Sequence, residues 1–201
     1  MTDAELLRAW SAGDRAAGES LFDRHFESVA RFFRNKADGA HDDLIQQTFL
    51  GCVEALPRFR ADSSFRTFLF AVARNQLSKH YRQRRVERER LDFGTHSVHD
   101  LASSPSAVVA RGEQQRWVLD ALRRIPIDSQ IALELHYWEE MTAAEIAEVL
   151  ELPLGTAKTR LRRARQLLEA ELAELQVAGI VPPLRGDELE TSARSLREQL
   201  F

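Results

Sequence analysis

Apolar residues recur along this chain at helical rather than strand spacing. Leu21, Phe22, Phe26, Val29 and Phe33 follow one another at intervals of three and four, and the spacing predicts a long helix within "DRAAGESLFDRHFESVARFFRNK". A shorter helix over residues 3–12 precedes it. "HDDLIQQTFLGCVEAL" puts Leu44, Ile45, Phe49, Cys52 and Val53 on one stripe, and Pro57, which has no N–H to donate, ends that helix. A fourth helix starts near Ser63 or Ser64, either of which can serve as N-cap, with Phe65, Phe68, Leu69, Val72 and Leu77 as its buried stripe. Alternating Val/Ile/Thr runs bounded by turns are missing, so the predicted class is all-α.

The periodicity fades over residues 92–112, "DFGTHSVHDLASSPSAVVARG", where Gly, Ser and Pro accumulate. This reads as a flexible linker between two small helical domains, 1–91 and 113–175. Residues 176–201 form an appendage broken by Gly179, Pro182 and Pro183.

In the second unit the pattern is more specific. Thr142 followed by Glu145 is a capping box that starts a helix, with Ile146, Val149 and Leu150 as its apolar face. A turn with Pro153 leads into "LPLGTAKTRLRRARQLL". At about 100° per residue, Leu154, Ala157, Leu161, Ala164 and Leu168 share a core-facing stripe. Thr156, Thr159, Arg162, Arg163 and Gln166 point away from it, while Lys158, Arg160 and Arg165 lie on its flanks. Helix, tight turn and second helix with outward bases make a helix-turn-helix, whose second helix suits a DNA major groove. Arg165 lies close enough to the apolar stripe to pair internally instead.

Charge sharpens this picture. The 201-residue chain has a formal net charge of −3, but its bases are concentrated. Residues 57–90 hold ten Lys/Arg against three acids, and residues 152–168 hold five with none, which leaves −15 on the remainder. Two basic islands on an acidic body are the informative feature, although the dense bases after Lys79 also read as a solvated helix end, where Lys and Arg suit the helix dipole, and alone identify no partner. In the first island Arg66, Asn75, Lys79, Arg82, Arg84 and Arg85 are read as mainly exposed. Phe59 serves equally well as a core residue or as a stacking platform for an unpaired base.

Other chemistry is thin. Cys52 is the only cysteine, so neither an intrachain disulfide nor a Cys-cluster zinc site can form. The six histidines are dispersed, and phosphate loops, nucleophile elbows and metal spacings are lacking, so neither an enzyme, a metal site nor a cofactor is expected. "MTDAELLRAW" lacks the marks of a signal peptide, and a membrane span would need ~18 apolar residues, so a cytoplasmic location is the expectation. A conventional helix-turn-helix regulator explains residues 142–170 equally well but leaves the basic, Asn-containing helix at 64–90 without a role.

Three stretches taken in order carry a resemblance. "DLIQQTF" resembles the polymerase-binding helix of extracytoplasmic-function (group IV) RNA polymerase sigma factors. "FRADSSFRTFLFAVARNQL" resembles their promoter-melting segment, and "LPLGTAKTRLRRARQLL" their second promoter-reading helix. The likeness spans roughly residues 5–172. It implies a transcription initiation factor whose partners are core RNA polymerase and promoter DNA, in a family often restrained by an anti-sigma factor. It further implies that Asp43, Leu44, Gln46, Gln47 and Glu54 dock on the polymerase clamp, with Gln47 standing where relatives usually have an acid. Asp62, Ser63, Ser64, Asn75, Ser78, Lys79 and Arg82 would handle the −10 element. Thr156, Lys158, Thr159, Arg162 and Arg163 would read the −35 element, with Arg162 replacing a commonly apolar or aromatic residue. The linker would thread the polymerase cleft, its Asp92 and Asp100 mimicking RNA phosphates. In the free protein the two domains could pack together and hide their basic faces.

Overall fold

The computed structural model describes residues 1–37, 39–59, 63–84, 92–101 and 113–177; Asp62, residues 102–112 of the linker and residues 178–201 of the appendage lie outside the described residues. The described segments are helical: α1 (Asp3–Ser11), α2 (Arg15–Arg34), α3 (His41–Ala55), α4 (Phe65–Arg84), α5 (Val98–Leu101), α6 (Glu113–Arg124), α7 (Ile127–Tyr137), α8 (Ala143–Val149) and α9 (Leu154–Val177).

Local chemistry starts several of these helices. Thr2 and Glu5 form a capping box on α1, and the Asp14 carboxylate accepts from the Ala16 and Ala17 N–H groups at the start of α2. Ser64 takes the corresponding place on α4, its Oγ accepting from Thr67 N at 3.1 Å. Thr142 and Glu145 do the same for α8.

The N-terminal helices pack around Leu21, Val29, Phe33, Leu44, Cys52, Phe65, Leu69 and Phe70, all buried. The α3–α4 crossing is close because Gly51 faces Val72: a Cβ at Gly51 would lie 2.9 Å from Val72 Cγ1. In the C-terminal half, α7 is buried nearly all round, with α6, α8 and α9 laid against it. The stripe expected on α9 is formed by Ala157, Leu161, Ala164, Leu168, Leu172 and Leu175.

Three apolar residues assigned to stripes by spacing are on the surface instead, and a fourth is incompletely covered. Phe26, Val53 and Leu154 are 46%, 46% and 45% exposed, and Phe68 is only half-buried. Periodicity places a residue on a helix face, but it does not determine whether a neighbour covers that part of the face.

The largest departure concerns the linker. Residues 92–101 do not run free between two cores. Phe93 and Val98 are buried, Ile127 N donates to His96 O and Asp128 N to Phe93 O, both at 2.9 Å, and Tyr81 meets Phe93 edge-on. Asp92 and Asp100 serve local turns: Asp92 Oδ1 accepts from Gly94 N at 2.8 Å, and Asp100 Oδ2 accepts from Ser97 N and Oγ. One continuous apolar cluster extends from Leu6 in α1 to Leu175 in α9, through both halves of the chain.

Candidate nucleic-acid and polymerase interface

The helix-turn-helix forms because α8 ends abruptly. Glu151 adopts a left-handed conformation (φ 55°) and Leu152 N reaches back to Ala147 O at 2.8 Å, turning the chain before α9. Ala157, Leu161 and Ala164 then bury one side of α9, which pushes Thr156, Lys158, Thr159, Arg162 and Arg163 out to solvent. Among the described residues, none pairs with Lys158, Arg162 or Arg163. Arg165 is set apart from this group. It lies 3.2 Å from His136 Nε2 and over the Tyr137 ring, which accounts for a base beside the apolar stripe.

On α4 the buried ridge Phe65–Leu69–Ala73–Leu77–Tyr81 leaves Asn75, Lys79 and Arg82 exposed and Ser78 half-exposed on another side. Ser63 and Ser64 precede the helix, Ser64 committed to its cap. Phe59 is half-buried against Phe68, ring centroids 4.8 Å apart, so packing occupies much of its surface.

The residues expected on the polymerase-facing helix separate by burial. Asp43, Gln46, Gln47 and Glu54 are exposed on α3, whereas Leu44 is 2% exposed and holds α3 in the core. Leu44 therefore cannot present a side chain to a partner without unfolding the helix. Sequence reasoning missed the apolar surface beside these polar residues: Phe26, Leu50 and Val53 are exposed and, with Phe22, Ile45 and Phe49, line a groove between α2 and α3 rimmed by Asp42 and Gln46. Contiguous exposed apolar surface is a feature of interaction sites in general. Leu50, at the third position after Gln47, carried the available signal.

Sequence reasoning also missed a polar seam that joins the two halves. Arg31 Nε donates to Glu139 Oε1 at 3.0 Å and Ser28 Oγ to Glu139 Oε2 at 2.8 Å. Lys36 Nζ donates to Glu134 Oε2, which lies in the same buried group as Gln130. Arg66, read as exposed, donates to Glu139 O at 2.8 Å and pairs with Glu145 at 3.4 Å. Arg74 grips Asp128 through Nε at 3.0 Å and Nη2 at 3.3 Å, and Arg160 donates to Asp128 Oδ2 at 2.6 Å. The halves do pack together, but bases of the seam are covered, and the expected faces at Asn75, Lys79, Arg162 and Arg163 stay open.

Comparison with known proteins agrees with this architecture. The family model for Sigma-70 region 2 matches residues 21–87, and that for Sigma-70, region 4 matches residues 115–168. The RNA polymerase sigma-H factor of Pseudomonas aeruginosa is 30% identical over 186 residues, which is 86% of this chain and 95% of the relative. The ECF RNA polymerase sigma-E factor of Haemophilus influenzae is 28% identical over 187 residues, 87% and 97% of the two chains. Among solved structures, CnrH in complex with the cytosolic domain of CnrY superposes with a TM-score of 0.64 at 25% identity, covering 86% of this chain and 97% of CnrH. With two sigma regions in order and near-complete coverage of such relatives, the chain belongs to the extracytoplasmic-function RNA polymerase sigma factors, the promoter-directing factors of transcription initiation.

Proposed function

We propose that this sigma factor divides its work among three surfaces. The exposed side of α4 (Asn75, Ser78, Lys79, Arg82), with Ser63 and Ser64 and with Asp62 outside the described residues, handles the −10 element. The outward face of α9 (Thr156, Lys158, Thr159, Arg162, Arg163) reads the −35 element. The groove between α2 and α3, with Asp43, Gln46, Gln47 and Glu54 around it, docks on the polymerase clamp.

The observation that carries this assignment is selective exposure. The seam bases and Arg165 have acidic or aromatic partners, while Lys158, Arg162 and Arg163 stand open. Unpaired cations at a helix-turn-helix surface suit phosphates and base edges. An Asn amide can bond bidentately to an exposed base edge, which fits Asn75 to a melted strand. The apolar α2–α3 groove suits a protein better than DNA.

The chain supplies recognition and melting, and the chemistry of RNA synthesis belongs to the polymerase. It works beside that polymerase in the cytoplasm; among the described residues no helix is long and apolar enough to cross a membrane. CnrH is solved in complex with the cytosolic domain of CnrY, and a protein partner of this chain, an anti-sigma factor, is part of the proposal.

Reconstituted transcription from a randomised promoter library tests the assignment. Core polymerase with this protein should select a two-part motif. Asn75→Ala should relax selection in the −10 part alone, and Arg163→Ala in the −35 part alone. Selection unchanged by either substitution would overturn the assignment.

A further inference from the structure

A second concavity lies where the segment before α5 meets α7 and the start of α9. Thr95, Ser129, Thr156, Thr159, Arg160 and Arg163 line a cavity of about 540 Å³, a volume within the range of small-molecule sites. Among the described residues that line it, none is acidic. Gly155 and Thr156 sit there in the first turn of α9, whose N–H groups have no partner inside the helix and whose dipole favours a negative charge. No acid stands in that turn to use the charge internally.

Two side chains point independently to a ligand. Ser129 is 7% exposed, and among the described residues its hydroxyl has no hydrogen-bond partner. Ser129 lines the cavity, so the partner it lacks comes from there. Arg160 is held from behind, its Nη1 donating to Asp128 Oδ2 at 2.6 Å. Its Nη2 stays beside Gly94, 3.8 Å from where a Cβ on that glycine would lie. A guanidinium anchored at one end loses little freedom when its other end binds. The neighbouring acids are committed, Asp92 to Gly94 N at 2.8 Å and Asp128 to Arg74 and Arg160.

We propose that this cleft binds a phosphorylated small molecule of mononucleotide size, and that its occupant and the −35 duplex exclude each other. Helix N–H groups, hydroxyls and guanidinium forks are the groups that hold phosphate oxygens. A phosphate ion alone would leave most of the 540 Å³ empty, and Pro126 and Leu167 add apolar lining suited to the body that carries it. A free molecule fits better than a DNA backbone, because Ser129 is too deeply buried for a rigid duplex to reach. Thr156, Thr159 and Arg163 belong both to this cavity and to the proposed −35 face. The exclusion therefore rests on the promoter assignment above, whereas the binding itself does not. Linkage is reciprocal, so the ligand weakens promoter binding by the factor by which the promoter weakens ligand binding.

Magnetic resonance titration of the isotope-labelled full chain tests the site, with the common ribonucleoside monophosphates, their nucleosides and inorganic phosphate as probes. At least one monophosphate should shift the amide signals of Thr95, Ser129, Gly155 and Thr156 saturably, and should bind about tenfold more tightly than inorganic phosphate through its added apolar burial. The nucleosides should not bind. Ser129→Ala removes one hydroxyl, and Thr95→Asp adds a carboxylate to an exposed part of the rim. Each should weaken the nucleotide by about tenfold or more, the scale of one bond to a charged group, and leave promoter selection without nucleotide unchanged. In holoenzyme–promoter titrations the same monophosphate should weaken promoter binding, and both variants should lose that effect, which separates it from nucleotide held by the polymerase. Absence of saturable binding, equal affinity for inorganic phosphate (an ion site only), or binding unmoved by both substitutions would overturn the site. Weaker promoter binding by Ser129→Ala, with no nucleotide bound to the free chain, would give the cleft to a DNA phosphate and overturn it too. A nucleotide that binds the cleft yet leaves promoter affinity intact overturns the exclusion, and library selection with Arg163→Ala then shows whether the −35 assignment failed with it.

Discussion

Lys36, in the turn after α2, and Glu134 of α7 form an ion pair across the seam with both side chains out of water, at 0% and 3% side-chain exposure. Burial pushes the Lys36 amine below its ordinary range and the Glu134 carboxyl above its own, and each charge partly restores the other. The pair is held from several sides: Lys36 lies over the Phe32 ring, and Gln130 Nε2 donates to Glu134 at 2.8 Å. A buried pair of this kind contributes little net stability over an apolar replacement, yet removing one partner strands the other. Lys36→Met should therefore destabilise the fold by about 3–5 kcal/mol. Adding Glu134→Gln, which keeps an amide for Gln130, should recover most of that loss. Denaturant unfolding of the two single variants and the double variant measures the coupling directly.

A second prediction concerns the crossing beneath the proposed clamp surface. Gly51 allows α3 to approach Val72 of α4, and a methyl group there would sit 2.9 Å from Val72 Cγ1 and 3.1 Å from Gln76 Nε2. Overpacking in a filled core costs about 1–3 kcal/mol. Gly51→Ala should lower stability by that order despite its better helix propensity, and Val72→Ala added to it should restore part of the loss. If Gly51→Ala is stabilising, propensity outweighs packing at this crossing.

These cases separate what the chain's pattern disclosed from what it concealed. Local signals were readable: the Thr142–Glu145 box, the Ser64 cap and the α9 stripe from Ala157 to Leu168 each depend on residues a few positions apart. The seam was hidden because its partners are remote, with Lys36 and Glu134 separated by 98 positions. Glu134 did carry a trace, as an acid set in the otherwise apolar run "IALEL", where a charge is seldom buried without a partner. The exposed Phe26, Leu50 and Val53 illustrate the opposite limit. An apolar stripe looks the same whether another helix of the chain or a separate protein covers it. Residues 92–101 read as linker because they belong to the stretch 92–112 where Gly, Ser and Pro accumulate, yet Phe93 and Val98 are enough to anchor them.

Acidification should weaken the α8 end of the seam. Burial alone would raise the Glu145 carboxyl. Hydrogen bonds from the Thr142 N–H and hydroxyl and the positive charge of Arg66 outweigh that and lower it below its ordinary 4.5. A carboxyl lowered by folding contributes stability that is present above its unfolded pKa and lost as pH falls through the lower folded value. Glu139, bound to Arg31 and through its carbonyl to Arg66, is the other acid at this end of the seam. Glu145→Gln keeps the cap geometry but not the charge. It should lie a few tenths of a kcal/mol below wild type at pH 7, a surface-pair magnitude for a group still partly open to solvent. Melting curves taken between pH 7 and 3 should show that difference closing below pH 4.5.

Arg162 offers the sharpest reading of the −35 face. It is exposed on the outward side of α9 beside Arg163, on the same side as Thr159, and none of the described residues pairs with it. A guanidinium there can neutralise a backbone phosphate or bond bidentately to a guanine edge, and the two roles differ measurably. A phosphate contact adds close to one unit to the slope of log affinity against log salt and carries no base preference. A guanine contact discriminates by about 1–3 kcal/mol at one base pair. Arg162 stands one helical step from Lys158 and next to Arg163, so its fork falls between a residue suited to the backbone and one suited to the groove floor. Arg163 lies nearer than Arg162 to the middle of the outward face set by Thr156, Thr159 and Gln166, and the base-edge role falls to it. Arg162→Ala should therefore reduce the salt slope of holoenzyme–promoter binding by about one and leave the selected −35 sequence intact. Arg163→Ala should flatten one position of that sequence. Titrations of the holoenzyme at three or more salt concentrations, on the library-selected promoter and on its single-base −35 variants, separate the two roles, and loss of sequence preference in Arg162→Ala at an unchanged salt slope would reverse the assignment.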